Sequence, residues 1–377
     1  MIGFNKPYLT GNETKYIEQA VASGKISGNG VFTQKCQQFF EEKYGIKKAL
    51  LTTSCTDALE MCAILLDIKE EDEIIMPSYT FVSTANAFVL RGAKIVFADS
   101  SNQHPNIDIS KIEGLITPKT KAIVVVHYAG IACDMDTVMA LADKYKLFVV
   151  EDAAQAIDSY YKDRPLGSIG HLATFSFHET KNIIAGEGGL LAVNDEQFMN
   201  RAEIIWEKGT NRSAFFRGEV DKYGWIDIGS SFLPSDVTAA FLWAQLENIK
   251  DIQTKRKSIW YNYFNELQSL EKKGKIKLPF IPEFATNNAH IFYIICNDLK
   301  ERTALIAHLK SYKVSAVFHY LPLHKSPFYN SKYTGKPLLD SEKFSDNLLR
   351  LPMYYELTVI DQNKIIQLIS AFYEKNI

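Results

Sequence analysis

Short, continuously apolar segments alternate with helix-like segments over the first two thirds of the chain. The strand-like runs lie at 48–53, 73–76, 93–97, 122–127 and 147–151. Apolar runs of this length, without polar alternation, are typical of strands buried on both faces. The segments at 56–67, 83–91 and 135–145 carry apolar residues at helical spacing. The alternation therefore predicts an α/β fold with a mostly parallel sheet that is covered by helices on both sides.

The length of the chain, 377 residues, is enough for two or three domains. A long, charged, helix-like stretch at 249–270 is suited to bridge two of them. Beyond it come a strand-like run at 289–296, a helix-like run at 302–313 and an apolar-periodic tail at 361–373. We predict a large domain over 1–248 and a smaller α/β domain over 249–377.

Charge and composition exclude several classes of protein. The 42 basic and 44 acidic residues nearly cancel, so no basic field exists for nucleic acid. No apolar run reaches the ~20 residues of a membrane span, and the first residues lack the pattern of a signal peptide. The five cysteines are scattered without a CxxC pair, which disfavours disulfides and a structural zinc site. We expect a cytoplasmic protein with no metal and with neither nucleic acid nor membrane as a partner.

The first motif is a strand–turn–helix at 51–59 with small polar residues at the turn. Ser54, Cys55 and Thr56 stand where a helix start leaves backbone N–H groups free, which is a ready anion site. A simple helix cap is the alternative. The glycine-rich fingerprints of dinucleotide-binding folds and P-loops are absent from the sequence.

The second motif is an acid at the end of a buried strand. Asp152 follows the run at 147–151, at the edge of the sheet where ligands of open α/β folds bind. A carboxylate at that edge can keep a ring nitrogen protonated, and a helix cap or surface acid is the alternative.

The third motif is an alternating run at 174–182 that leads to one lysine, Lys181, with a glycine-rich turn at 186–189 just beyond it. A lysine in a pocket can form a Schiff base, because desolvation makes its neutral amine accessible. An ordinary surface lysine after a strand is the alternative. In combination, the phosphate-binding helix start, the acid and the lysine have the order and spacing of a pyridoxal 5′-phosphate (PLP) enzyme of fold type I.

The sequence resembles the DegT/DnrJ/EryC1/StrS family of sugar aminotransferases. The matching motifs lie at 151–156, 176–178 and 186–189, and the resemblance runs from Pro7 to His324. It implies an aspartate-aminotransferase-like fold, with a seven-stranded, mostly parallel sheet in the large domain and a smaller C-terminal α/β domain. It also implies a homodimer in which each active site is built from both chains.

The resemblance assigns roles to individual residues. Lys181 would bind PLP covalently and act as the catalytic acid and base, Asp152 would pair with the pyridine nitrogen, and Gln155 would lie near the ring hydroxyl. Phe81 would stack on the cofactor ring, unless it is ordinary core.

Ser176 and the turn formed by Ser54, Cys55 and Thr56 would hold the cofactor phosphate. Many relatives have glycine at the position of Cys55. Many also have an asparagine at the position of Ser231, which reaches the cofactor phosphate of the neighbouring subunit. The cross-dimer contact is therefore open in this chain, with Asn211 as one substitute.

Within the family, the resemblance is strongest to transaminases that form dTDP-4-amino-4,6-dideoxy-D-galactose, through the stretches at 177–182, 208–213, 229–231 and 317–320. It implies L-glutamate as amino donor and dTDP-4-dehydro-6-deoxy-D-glucose as acceptor. Further candidate substrate residues occupy a basic, aromatic stretch and the region that holds the sugar in the family: Asn211, Arg212, Arg217, His319, Tyr320 and His324. A solvated loop is the alternative for the basic stretch.

Two other functions remain open from the sequence. An aminotransferase acting on a 3-ketosugar would use the same residues one carbon away. A PLP-binding sensor without turnover would keep the cofactor site alone. A PLP-dependent sugar dehydratase is disfavoured, because such members of the family have histidine where this chain has Lys181.

Overall fold

The computed structural model describes residues 1–375 of the chain, which form eleven strands and twelve α-helices. The strands are β1 (Lys48–Thr52), β2 (Glu73–Pro77), β3 (Lys94–Ala98), β4 (Thr120–Val126), β5 (Phe148–Asp152), β6 (Tyr160–Tyr161), β7 (Arg164–Pro165), β8 (Leu172–Ser176), β9 (Gly189–Val193), β10 (Phe292–Ile295) and β11 (Leu348–Leu351). The helices are α1 (Glu13–Ala22), α2 (Val31–Tyr44), α3 (Cys55–Leu65), α4 (Val82–Val89), α5 (Met135–Tyr145), α6 (Met199–Trp206), α7 (Arg212–Phe216), α8 (Asp236–Glu247), α9 (Ile249–Lys272), α10 (Leu299–Ser311), α11 (Leu339–Asn347) and α12 (Val359–Lys375).

Seven of the strands form one sheet in the order β1-β9-β8-β5-β4-β2-β3. β9 is antiparallel to both of its neighbours, and the other neighbouring pairs are parallel. Six strands therefore point the same way, and their carboxyl ends share one edge of the sheet. The predicted α/β fold with a mostly parallel, seven-stranded sheet is confirmed.

Alternate residues of the central strand β4 lie in two separate hydrophobic cores, one on each face of the sheet. In β4, Ile123 and Val125 pack with apolar residues of α2, α5 and α8, whereas Ala122 and Val124 pack with residues of α3, α4 and α6. The sheet is thus covered on both faces, which explains why its strands read as continuous apolar runs rather than as an alternation.

The C-terminal part of the chain builds a core of its own. β10 and β11 form an antiparallel pair, and their apolar residues pack against α9, α10 and α12. α9 contributes to both regions, because Ile252 lies in the core on the sheet and Ile259 in the C-terminal core. The division into domains at residue 248 stays a prediction.

The predicted helices and strands are present, with ends that differ by a few residues. α5 has the predicted bounds, whereas α10 begins at Leu299 rather than at 302, because the Asp298 side chain accepts a hydrogen bond from the backbone N–H of Glu301 and caps the helix earlier. Within residues 1–375, no helix is both long and apolar enough to cross a membrane. The same residues contain no cluster of three or more His, Cys, Asp or Glu side chains that could bind a metal ion.

Candidate active site

The predicted cofactor residues follow the carboxyl ends of four parallel strands. The turn at Ser54 follows β1, Phe81 follows β2, Asp152 ends β5, and Lys181 follows β8. Because these strands share one direction, the sheet brings residues that are far apart in sequence to a single edge.

The start of α3 forms a cradle for an anion. Ser54 is its N-cap and accepts a 3.0 Å hydrogen bond from the backbone N–H of Asp57, so the capping role is confirmed. The N–H groups of Cys55 and Thr56 have no acceptor in the described chain and remain available for a ligand. Burial raises the pKa of the Cys55 thiol to about 12, which keeps it neutral beside such an anion.

Gly189 at the start of β9 closes the back of this cradle. A Cβ at Gly189 would lie 2.3 Å from the carbonyl carbon of Ser54 and 2.4 Å from the nitrogen of Cys55. Only a residue without a side chain lets β9 pass so close to the helix start. Ser176 pairs with Gly189 in the sheet and therefore stands at the same end.

Asp152 presents a buried carboxylate to the site. Its Oδ2 accepts a 2.7 Å hydrogen bond from Thr84 Oγ1, and its Oδ1 accepts a 3.2 Å bond from the N–H of Ala154. It forms no ion pair with any residue that the structure describes. Burial raises the pKa of this carboxyl above its usual value, although both hydrogen bonds oppose the shift. A buried carboxylate without a cation is suited to a ligand that brings positive charge, such as a protonated ring nitrogen.

Lys181 is half-buried on the turn after β8. Its backbone N–H donates to the carbonyl of His178 at 2.9 Å, but its ammonium makes no hydrogen bond or ion pair within residues 1–375. Burial lowers the pKa of Lys181, and the charge of Arg350 lowers it further, while Cys55 and Asp152 act in the opposite direction. The shift favours the neutral amine, which is the form that reacts with a carbonyl group.

The neighbouring Asn182 fixes this turn to the C-terminal half of the chain. Its amide nitrogen donates to Gln253 Oε1 and to the carbonyl of Asn288, both at 2.8 Å, and its oxygen lies 2.8 Å from Nδ1 of His290. Asn288 in turn donates to the carbonyl of Gln155. The lysine turn and the loop that carries Gln155 are therefore held by one buried network.

Gln155 links the sheet edge to the aromatic wall of the site. Its Oε1 accepts a 2.7 Å bond from the N–H of Ala129, and its Nε2 donates to the hydroxyl of Tyr320 at 3.0 Å. Tyr320 stacks on His319 with ring centroids 3.6 Å apart, and Nδ1 of His319 lies 2.6 Å from the hydroxyl of Tyr128. The structure thus brings two of the predicted sugar-site residues to the cofactor residues.

Phe81 has 55% of its surface exposed, so it is not core. It stands at the N-cap of α4, and its ring centroid lies 6.1 Å from that of Tyr320. An exposed ring in this position is free to stack on a flat ligand.

His324 was predicted to contact the substrate, but its side chain is not exposed toward the site. Its Nδ1 is 2.7 Å from the hydroxyl of Ser78, its Nε2 is 3.2 Å from Glu342, and the residue is 3% exposed. Both ring nitrogens are therefore engaged within the protein, and the side chain fastens the loop after Tyr320 to the end of β2.

The basic stretch that includes Asn211, Arg212 and Arg217 was predicted to bind substrate, but within one chain its residues contact other groups. Arg217 pairs with Glu203 and Glu219, which neutralises much of its charge. Asn211 accepts from the N–H of Gly224, and the Arg212 guanidinium lies over the ring of Phe216. None of the contacts that these three residues make within the described chain reaches Asp152 or Lys181.

Sequence reasoning missed Thr84, Tyr128, Asn182 and Arg350. Thr84 stands four residues after Thr80, at a helix start on the ligand edge, and this spacing could have pointed to it. The other three carry no local signal, because their partners are more than 20 residues away in sequence.

Comparison with known proteins gives consistent matches over nearly the whole chain. The model of the DegT/DnrJ/EryC1/StrS aminotransferase family matches residues 7–370. Spore coat polysaccharide biosynthesis protein SpsC of Bacillus subtilis is 32% identical over 97% of this chain and 95% of its own length. GDP-perosamine synthase of Escherichia coli O157:H7 is 31% identical over 98% and 97%. The structure of Spr1654 from Streptococcus pneumoniae in its PLP form superposes with a TM-score of 0.90, at 24% identity over 99% of both chains, and shares the fold.

Proposed function

Because the chain belongs to the DegT/DnrJ/EryC1/StrS aminotransferase family, we propose that it transfers the amino group of L-glutamate to C4 of dTDP-4-dehydro-6-deoxy-D-glucose. The products are dTDP-4-amino-4,6-dideoxy-D-galactose and 2-oxoglutarate. The observation that supports this proposal is the position of Lys181 at the same sheet edge as the buried Asp152. Lys181 is half-buried, and its ammonium has no partner in the described chain.

The cofactor is PLP, as predicted, and the residues fit it. The free N–H groups at the start of α3 would hold its phosphate, with Ser176 beside them. Asp152 would bind its ring nitrogen, and Phe81 would cover one face of the ring. When bound, PLP supplies an electron sink that stabilises negative charge at the carbon next to the transferred nitrogen.

Lys181 then serves as the acid and base. Its burial favours the neutral amine, which would take a proton from Cα of the donor. In the sugar half-reaction the same amine delivers the proton to C4. Tyr320 and His319 border the same space and would contact the sugar.

The second copy of the chain is part of this proposal. The segment around α7 exposes large apolar side chains, with Trp225 at 85% and Phe216 at 68%. Such a patch is typical of an interaction surface. In a homodimer, Asn211, Arg212 and Ser231 would approach the site of the partner subunit, which explains why they contact no site residue within their own chain.

The relatives suggest a pathway and a second candidate nucleotide. SpsC is named for spore coat polysaccharide biosynthesis, which supports a role in a cell-surface polysaccharide. The name GDP-perosamine synthase makes a GDP-linked sugar the second candidate acceptor.

The test is a visible spectrum of the purified protein with PLP, before and after L-glutamate. The yellow absorbance of lysine-bound PLP should bleach with L-glutamate. Only dTDP-4-dehydro-6-deoxyglucose should then restore it, when compared with a 3-ketosugar and a GDP-linked 4-ketosugar. Restoration by another sugar would overturn the acceptor, and no response to L-glutamate would overturn the donor.

A further inference from the structure

His290 contacts the turn that carries Lys181 from the C-terminal part of the chain. It lies two residues before β10 and is 6% exposed. Its Nδ1 is 2.8 Å from Oδ1 of Asn182, the residue that directly follows Lys181. The ring of His290 is therefore one hydrogen bond and one peptide unit away from the lysine.

The hydrogen bonds of Asn182 determine which nitrogen of His290 carries the proton. The main-chain carbonyl of Asn288 can only accept, so the atom that lies 2.8 Å from it is the amide nitrogen of Asn182. The same nitrogen donates its second proton to Oε1 of Gln253. The oxygen of Asn182 therefore faces His290, and Nδ1 of the ring is the donor, because an amide oxygen only accepts.

The surroundings of His290 keep its ring neutral. Burial lowers the pKa of His290 well below its usual value. Neighbouring positive charges lower this pKa further, and they belong to Lys181, Arg256, His319 and Arg350. The ring therefore holds the amide beside it without adding a further positive charge next to the lysine amine.

The main chain at His290 is held independently of its ring. The N–H of His290 donates to Oδ1 of Asn288 at 3.0 Å, and its carbonyl accepts a 2.6 Å bond from Nη2 of Arg256. A change of the ring therefore acts mainly on the bond to Asn182. Because Asn182 is 4% exposed, loss of the ring N–H would leave its oxygen buried without a donor, which is unfavourable.

We propose that His290 is a positioning residue for Lys181 and acts by donating a hydrogen bond from Nδ1 to the side chain of Asn182. This proposal rests on the proposed function, in which Lys181 is the reacting amine. The bond keeps Asn182 in its buried network and so keeps the turn where the lysine amine is shielded from water. Without the bond the turn would move toward solvent, where the amine would regain its ordinary affinity for protons.

The test measures the reactivity of each lysine in the full-length chain before PLP is added. Reductive methylation with formaldehyde and a borane consumes only the neutral amine, and mass spectrometry of peptides reports its extent at each lysine. In the wild type, the pH midpoint for Lys181 should lie below that for the surface residue Lys162.

Two variants of His290 should separate the hydrogen bond from the bulk of the ring. His290→Phe removes the N–H and keeps a ring, and it should raise the Lys181 midpoint by about one pH unit. His290→Asn places an amide nitrogen where Nδ1 stands, and it should restore the wild-type midpoint. His290→Gln carries its N–H one bond further out, should behave as His290→Phe does, and serves if His290→Phe does not fold.

The matched control is His308→Phe, because Nε2 of His308 on α10 also donates to an oxygen, the carbonyl of Leu368 on α12 at 3.1 Å. It should leave the Lys181 midpoint unchanged. A Lys181 midpoint that stays at the wild-type value in His290→Phe and His290→Gln, or that His290→Asn does not restore, would overturn the role of His290. A wild-type protein whose yellow absorbance with PLP does not respond to L-glutamate would instead overturn the proposed function.

Discussion

Thr84 donates a 2.7 Å hydrogen bond to Asp152, and its own oxygen lies 2.9 Å from the hydroxyl of Thr80. Because Thr84 donates its one proton to the carboxylate, Thr80 is the donor in the second bond. This chain of hydroxyls fixes the orientation of the carboxylate, which also accepts a hydrogen bond from the N–H of Ala154. Thr84 is therefore a positioning residue for the acid that would hold the cofactor ring.

Replacing Thr84 by valine keeps the shape and removes the hydroxyl. The loss of one hydrogen bond to a buried carboxylate carries a free-energy penalty of about 1–3 kcal/mol. Because Thr84 positions the carboxylate of Asp152, Thr84→Val should bind PLP about tenfold more weakly than the wild type. Thr84→Ser, which keeps the hydroxyl, should bind nearly as the wild type does. Titration of the apoprotein with PLP measures both, and equal affinities for valine and serine would refute the role of Thr84.

Lys181→Ala should abolish the yellow absorbance of lysine-bound PLP and reduce transamination on the order of 10³-fold. The fold should be unaffected, because the ammonium makes no hydrogen bond or ion pair within the described chain. Lys162→Ala removes a surface lysine that pairs with Asp136 and is the control. Full activity in Lys181→Ala would show that another residue moves the proton.

Phe81→Ala should change binding without changing stability. The side chain is 55% exposed, so the unfolding free energy should change by less than about 0.5 kcal/mol, whereas PLP should bind about three- to tenfold more weakly. Phe175→Ala, at a position 1% exposed, should instead cost about 3–5 kcal/mol of stability. Thermal melting of the apoproteins together with PLP titration separates the two effects.

Gly189→Ala should damage the cradle directly, because the new Cβ would lie within 2.4 Å of backbone atoms of Ser54 and Cys55. Overpacking of this kind costs about 1–3 kcal/mol, and the phosphate site should lose most of its PLP affinity. Gly114→Ala has open space around its Cβ and is the control. Inorganic phosphate as a competitor of PLP in the wild type would report the same cradle independently.

Acid stability should depend on Glu151, which is fully buried with His127. Burial opposes ionisation, but the His127 side chain at 2.9 Å and the N–H groups of Gly170 and Gly167 hold the pKa of Glu151 below 4.5. A depressed folded pKa contributes stability above pH 4.5 that is lost as the pH falls through the folded value. Glu151→Gln should therefore be less stable than the wild type by about 3–5 kcal/mol at pH 7. Melting curves should converge below pH 4.5, and a constant difference down to pH 3 would contradict this assignment.

The sequence allowed the prediction of those features that depend on local pattern. The continuously apolar strands predict a sheet that is covered on both faces. Asp152 and Lys181 lie at or just after the carboxyl ends of strands, where ligands of open α/β sheets bind. The reversal of β9 could not be predicted, because its apolar run suits either direction. Thr84 was missed for a related reason: its partner Asp152 lies 68 residues away in sequence, and only the fold brings the two together. Periodicity carries no information about such pairs.

The close approach of Gly189 to Ser54 also determines when, during synthesis and folding, the cradle at the start of α3 can form. This cradle, which we propose binds the cofactor phosphate, follows β1 and packs against β9. It is therefore complete only after synthesis has passed residue 193 and β9 has inserted between β1 and β8. Pairing over such sequence distances is a late event in folding. The cradle therefore cannot bind a ligand before β9 has paired with β1, so binding of PLP there follows the assembly of this part of the sheet.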